Sequence, residues 1–280
     1  TDMAPATVQR YETSLKHTRD FVWETYHKKD VLLDEVSRQF IEDYEFWLKT
    51  EKKCCHNTAT KYLKNFKKIT RIALAKGWMK NDPFLEIRFS LDKVEPDFLE
   101  DSEIQKLISK EIDIPRLSQV RDIFVFCCFT GLAFSDIHGL RKEHIVEDSN
   151  GVRWIRKGRQ KTKIMCNIPL IEIPLKILEK YSTNEYCKKH GVLFPVLCNQ
   201  KMNAYLKELA DICGIKKTLT THVGRHTFAT FALANGVSIE SVAKMLGHTN
   251  VQMTRHYARV LDRTVIREMS QIKMDFHFSM

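Results

Sequence analysis

The chain has 280 residues, 43% of them apolar and 29% charged, with a net charge of +10 and a pI of about 9.1. That length holds one large or two ordinary domains, and the basic surplus favours a polyanionic partner, nucleic acid first. Neither a membrane span nor a secretory signal is expected: no run of about 18 apolar residues occurs, and the opening TDMAPATVQRYETS has no signal-peptide core. Eight cysteines without a C-x-x-C pair suit neither a zinc site nor a disulfide framework. Free thiols in a reducing cytoplasm are expected.

Residues 6–90 read as a small helical domain. Val8, Tyr11, Leu15, Thr18 and Val22 recur at helical spacing and predict a first amphipathic helix of about four turns. A second is expected over 34–49, with Phe40, Tyr44 and Trp47 inward. A third follows Asn57 and stops at Gly77, its core stripe formed by Tyr62, Leu63, Phe66, Ile69 and Ala73. Lys61, Lys64, Lys68 and Arg71 line another face of that helix. Such a row can follow a phosphate backbone without reading bases, although most charged helix faces are simply solvated. Asn81-Asp82-Pro83 breaks the pattern, and LDKVEPD at 91–97 reads as a linker.

A second domain is expected over 98–280. Glu100, Asp101 and Glu103 suit the positive end of a helix dipole. An apolar helix over 118–130 ends at Thr130-Gly131, and a short helix opens near Ser135-Asp136. Over 152–170 the pattern changes: Val152, Trp154 and Ile155, then GRQKTK, then 164–170, which predicts a β-hairpin with a basic turn. Helical spacing resumes at Pro174 and runs to the end. The expected fold is mainly α with a small antiparallel sheet, and domains of 1–90 and 98–280 joined by 91–97.

The stretch 222–257 carries the chemistry: HVGRHTFATFALANGVSIESVAKMLGHTNVQMTRHY. His222 and Arg225 stand one helical turn apart, so both can point the same way. His248 sits in LGH, and Tyr257 follows nine positions later. Between them Ile239, Val242, Ala243 and Leu246 form one apolar helix face, with Ser238 at the N-cap and Gly247 at the stop. Cations and donors held beside a tyrosine suit a five-coordinate phosphorane at a phosphodiester. A phenol with a pKa near 10 needs cationic neighbours or a base, and RHYAR places Arg255, His256 and Arg259 alongside. Arg225 offers a planar fork for two non-bridging oxygens. His226 and His256 read as structural. No carboxylates cluster at metal-ligand spacing.

This ordered set resembles the tyrosine recombinase (phage integrase) family, by motif over about 98–260 and by topology alone over 6–90. The resemblance implies a helical, SAM-like core-binding domain ahead of a catalytic domain, the two closing on duplex DNA as a clamp. It implies that Tyr257 attacks the scissile phosphate, forms a 3′-phosphotyrosyl link and releases a 5′-hydroxyl, with neither metal nor cofactor. Arg225 and His222 would hold the phosphate, and His248 would donate to it or relay the tyrosine proton. Lys161, in the hairpin turn, would protonate the leaving 5′-oxygen, with Lys157 and Lys163 as rivals. The stripe Lys61, Lys64, Lys68 and Arg71 would track the DNA backbone. A homotetramer on two duplexes, a DNA-bending accessory protein and a place on the nucleoid follow by the same resemblance. Around FTGLxxSDI the chain is most similar to integrases of Bacteroides-type conjugative transposons. Relatives often carry a further N-terminal arm-binding module, which this chain is expected to lack.

One position departs from the family pattern. An arginine usually follows Thr-Gly-Leu, and here Ala133 follows Thr130, Gly131 and Leu132. Arg121 or Arg141 could substitute, the enzyme could work slowly with one arginine, or strand transfer could be lost. The last case would leave a non-catalytic DNA-binding protein. Substitution is preferred because the other roles are filled and Asp136 keeps the acidic position of the motif. A type IB topoisomerase-like enzyme would share the chemistry without pairing two sites. The tail positions Leu261, Val265, Ile266 and Met269 recur at helical spacing and are expected to pack on their own domain or on a neighbouring protomer.

Overall fold

Proline at a helix start loses nothing, because the first N–H groups have no intrahelical partner; α1 (Pro5–Tyr26) begins this way. The computed structural model describes residues 3–257 and Met269, and divides into two units, Thr1–Glu95 and Pro96–Met280. In the first unit α1 is followed by α2 (Arg38–Thr50), where the Ser37 side chain accepts from the Phe40 N–H, and α3 (His56–Ala75). Their core is aromatic: Phe21 meets Phe40 at 5.1 Å and Tyr44 at 5.0 Å between ring centroids.

Three expectations are corrected in this unit. α1 is longer than four turns, a 3-10 turn (Leu33–Glu35) replaces the start of the second helix, and Leu15 and Ile69 are about half exposed. Helical spacing fits two neighbouring faces of α1 equally well. The bulk of Phe21 decides which one turns inward, since a buried ring contributes far more than Leu15 could. Lys61, Lys64, Lys68 and Arg71 are all exposed along α3. The Asn57 side chain exchanges two hydrogen bonds with the backbone of Asp92, fixing that residue to the start of α3.

The second unit starts with α4 (Asp101–Ser109), where the Glu103 carboxylate accepts from the Glu100 N–H. α5 (Pro115–Thr130) is buried almost all round after Leu117, which is why it shows an apolar run rather than a stripe. Its buried Asp122 accepts from Lys180 at 2.5 Å and Tyr181 at 3.1 Å, tying α5 to a later helix. α6 (Phe134–His138) leads into an antiparallel sheet of order β1 (Ile145–Glu147), β2 (Arg153–Gly158) and β3 (Met165–Pro169). The predicted hairpin is β2–β3, with Ile155 opposite Ile168, both buried. β1 escaped the sequence reading because three residues are too few to alternate.

Helices α7 (Glu172–Tyr181), α8 (Glu185–His190), α9 (Asn199–Ile212), α10 (Thr221–Ala234), α11 (Ile239–Leu246) and α12 (Gln252–Arg255) complete the unit. Ser238 caps α11, and Gly247 ends it at φ 60. No described helix is long and apolar enough to cross a membrane. Of the tail, Arg259, Leu261, Val265 and Ile266 lie outside the described residues, and Met269 is exposed.

Candidate active site

The last carbonyls of a helix have no intrahelical donor, and two such ends converge on one side chain here. Arg225, 2% exposed on α10, donates from Nη1 to the Gly131 carbonyl at 2.7 Å and from Nη2 to the Leu246 carbonyl at 2.6 Å. Those are the ends of α5 and α11, whose negative dipole ends favour a cation. Nη2 also meets His248 Nε2 at 3.0 Å. Three of five N–H donors are thus committed among the described residues, leaving two for a ligand. Burial, then the charge of Arg159, lowers Arg225 to about 10, so it stays a cation at neutral pH.

A guanidinium cannot accept a hydrogen bond. His248 Nε2 therefore accepts from Arg225, and Nδ1 carries the proton and donates to Thr254 Oγ1 at 2.8 Å. Burial, Arg225 and Arg159 push His248 down to about 4. His222 is held below its ordinary value by burial, Arg225, Arg159 and Lys161. The Tyr257 ring lies 6.3 Å from the His248 ring and 5.1 Å from that of His226. Burial raises the Tyr257 phenol, while Arg225 and Arg159 pull it back.

His226, like His248, is pushed down to about 4, against about 6.5 in an unfolded chain. Between those values the unfolded state binds more protons, so stability rises with pH. The contribution is complete above about 6.5 and lost as pH falls through 4. The thermal midpoint is expected to be lower at pH 5 than at pH 7, with a shallower dependence in His248→Gln; calorimetry across that range checks it.

Neither guanidinium proposed for the Ala133 vacancy is hydrogen-bonded to these groups among the described residues. Arg121 donates to the Lys110 carbonyl at 2.7 Å and to Asp122 at 3.0 Å, so the interior of the α4–α5 region holds it. Arg141 is exposed, beside the turn Lys142–His144. The arginine that joins Arg225 is Arg159, just after β2. Its Nε donates to Asp136 Oδ2 at 3.3 Å, and the other oxygen of Asp136 accepts from the Gln160 N–H at 2.9 Å. Asp136 is 2% exposed, so a buried carboxylate fixes the hairpin turn and aims the guanidinium. The Arg159 stem lies on Gly247, where an added Cβ would stand 2.6 Å from Cδ. Only a glycine fits beside it. A signal did exist in the sequence: Asp136 had lost the neighbouring arginine of its motif, and RQKTK contained one.

Lys161 is exposed in the β2–β3 turn. Its rival Lys157 is committed to the Gly139 carbonyl at 2.8 Å, and Lys163 is exposed at φ 60. The eight cysteines are free.

The profile described as the phage integrase family matches residues 97–264, and that of the phage integrase SAM-like domain matches residues 1–91. A tyrosine recombinase of Pseudothermotoga lettingae is 30% identical, covering 84% of this chain and 82% of its own length. Tyrosine recombinase XerD of Oceanobacillus iheyensis is 27% identical, over 84% and 81%. Among solved structures, a lambda integrase dimer bound to a COC′ core site superposes with TM-score 0.73 at 18% identity, covering 94% of this chain and 91% of that one. The Tn1549 transposon integrase in complex with circular intermediate DNA gives 0.73 at 17%, over 96% and 94%. At such identities the structural likeness is one of fold.

Proposed function

The chain belongs to the phage integrase family of tyrosine recombinases, and on that premise we propose that Tyr257, Arg225, Arg159, His222, His248 and Lys161 form its active site. The protein is a site-specific DNA recombinase that cleaves and rejoins duplex DNA through a 3′-phosphotyrosyl intermediate. The observation that carries the site is the meeting of two arginines on adjacent residues: Arg225 holds the Leu246 carbonyl, the Arg159 stem lies on Gly247, and both charges lower the Tyr257 phenol against its burial. Arg225 has two donors left for the non-bridging oxygens, and Arg159 commits only Nε among the described residues. Held in a dry frame, such donors stabilise charge that develops in the phosphorane. Lys161, on the exposed turn, is free to enter the groove and protonate the 5′-oxygen. The Ala133 departure no longer argues for a non-catalytic protein, because Arg159 fills the vacancy.

The finer assignments are part of the same reading. Residues 1–90 form a core-type DNA-binding domain whose Lys61, Lys64, Lys68 and Arg71 track phosphates. Residues 91–97 tether it to a catalytic domain over 98–280, and the division after Glu95 supports this. The protein acts as a homotetramer on two duplexes, with a DNA-bending accessory protein, on the nucleoid. Alanine at the arginine position supports kinship with integrases of Bacteroides-type conjugative transposons.

Nicked duplexes from the ends of the DNA element encoding this protein test the site. Wild type is expected to form a denaturation-resistant adduct on a DNA 3′ end, and Tyr257→Phe to bind the duplex equally but form none. An adduct that survives the Phe variant, or wild type that binds without forming one, overturns the assignment.

A further inference from the structure

Attack by a phenol requires somewhere for its proton to go. Three imidazoles touch the Tyr257 ring: His226 at 5.1 Å, His256 at 5.9 Å and His248 at 6.3 Å. Both nitrogens of His248 are committed, one to Arg225 and one to Thr254, so it cannot take a proton without releasing the phosphate-binding arginine. His256 is exposed. His226 differs from both: its Nδ1 is buried and has no hydrogen-bond partner among the described residues. A buried, unpaired polar atom costs about 1–3 kcal/mol, and such atoms in native folds call for an explanation. The ring is fixed from the other side by His222, one helical turn away and edge-on at 4.3 Å.

We propose that His226 is the proton acceptor for Tyr257, its Nδ1 taking the phenolic hydrogen bond and then the proton as Oη attacks the phosphate. This rests on the active site proposed above. The Tyr257 Oη–P bond forms and the P–O5′ bond breaks. The phenolic proton passes to His226 Nδ1, and the 5′-oxygen leaves with a proton from Lys161. In ligation His226 returns its proton to the phenol.

The groups facing His226 explain its timing. Burial, His222 and Arg225 from its own helix, and His256 from beyond α12 keep it neutral, with a free lone pair. A DNA phosphate between Arg225 and Arg159 offsets those cations and raises the basicity of the ring. Proton removal is thereby tied to the arrival of substrate, and the phenol stays intact in the free protein.

The test is single-turnover adduct formation by the full chain on the nicked element-end duplexes described above, with duplex affinity measured alongside. His226→Phe keeps a ring against Tyr257 but offers no acceptor. It is expected to bind DNA within about twofold of wild type, to cleave about 10²-fold more slowly, and to gain rate with rising pH where wild type is flat. Imidazoles added to His226→Ala are expected to restore cleavage in the order of their basicity. A His226→Phe rate within about threefold of wild type, or rescue indifferent to the pKa of the added base, would mean a packing ring and overturn the inference. If the Phe variant folds or binds poorly, the imidazole series on the Ala variant decides alone. Wild type without an adduct overturns the underlying site as well; an active wild type with an unimpaired Phe variant overturns this step only.

Discussion

Arg159→Ala is expected to lower adduct formation about 10²–10³-fold, the usual loss for one preorganised donor to a developing oxyanion. Its guanidinium is largely shielded from water and aimed by buried Asp136, so no solvent reorganisation accompanies its action. Duplex affinity is expected to fall far less, since that depends on many phosphate contacts. Arg159→Lys keeps the charge but not the planar fork and should recover only part of the rate. Arg121→Ala and Arg141→Ala should leave the chemical step within about twofold, because Arg121 is held by the Lys110 carbonyl and Asp122, and no hydrogen bond among the described residues ties Arg141 to Arg225. Adding Ala133→Arg to the Arg159→Ala protein restores the arginine at the family's usual place, and partial recovery is the expected outcome. Single-turnover trapping measures all five. Full activity in Arg159→Ala would return the second phosphate-binding role to an unidentified group.

Gly131→Ala is expected to destabilise the unit Pro96–Met280 by about 2–4 kcal/mol, lowering its thermal midpoint by roughly 5–15 °C. Gly131 ends α5 at φ 67, a left-handed conformation that costs a residue with a Cβ about 1–2 kcal/mol. An added Cβ would also stand 2.4 Å from Phe228 Cδ1 and 2.7 Å from Leu246 Cδ2, and both side chains are buried. Overpacking of that kind adds about 1–3 kcal/mol. Relief would move the Gly131 carbonyl that holds Arg225, so molecules that remain folded should also cleave poorly. Gly77→Ala is the control: the same left-handed backbone, φ 71, with nothing within 4 Å of the new carbon. It should cost only the backbone part, about 1–2 kcal/mol. Calorimetry on the two variants separates the steric part from the backbone part.

Much of the proposed site could be read along the chain. His222, Arg225, His248 and Tyr257 stand out because the segments between them are helices with their own local signals. The Ser238 cap and the left-handed stop at Gly247 need only neighbours a few residues away, so α11 follows directly from its sequence. The lysine turn was legible for the same reason, since a basic loop between two alternating segments closes on itself as β2 and β3.

The parts that escaped depend on residues far apart meeting. Leu15 and Ile69 face outward because the aromatic core of the first unit chose one of two equivalent helix faces. Arg159 enters the site because buried Asp136, 23 positions earlier, accepts from its Nε, while Gly247 leaves room for its stem. His226 carried no signal of its own: it borders the motif like any structural histidine, and only the nearby Tyr257 ring and an unpaired Nδ1 set it apart. Helix periods, caps and the tyrosine motif are short-range properties that a few adjacent side chains specify. Which arginine completes the proposed phosphate site, and which imidazole lies nearest the proposed nucleophile, are set by packing between α5, α10, α11 and the hairpin, where burial and charge act across the whole unit.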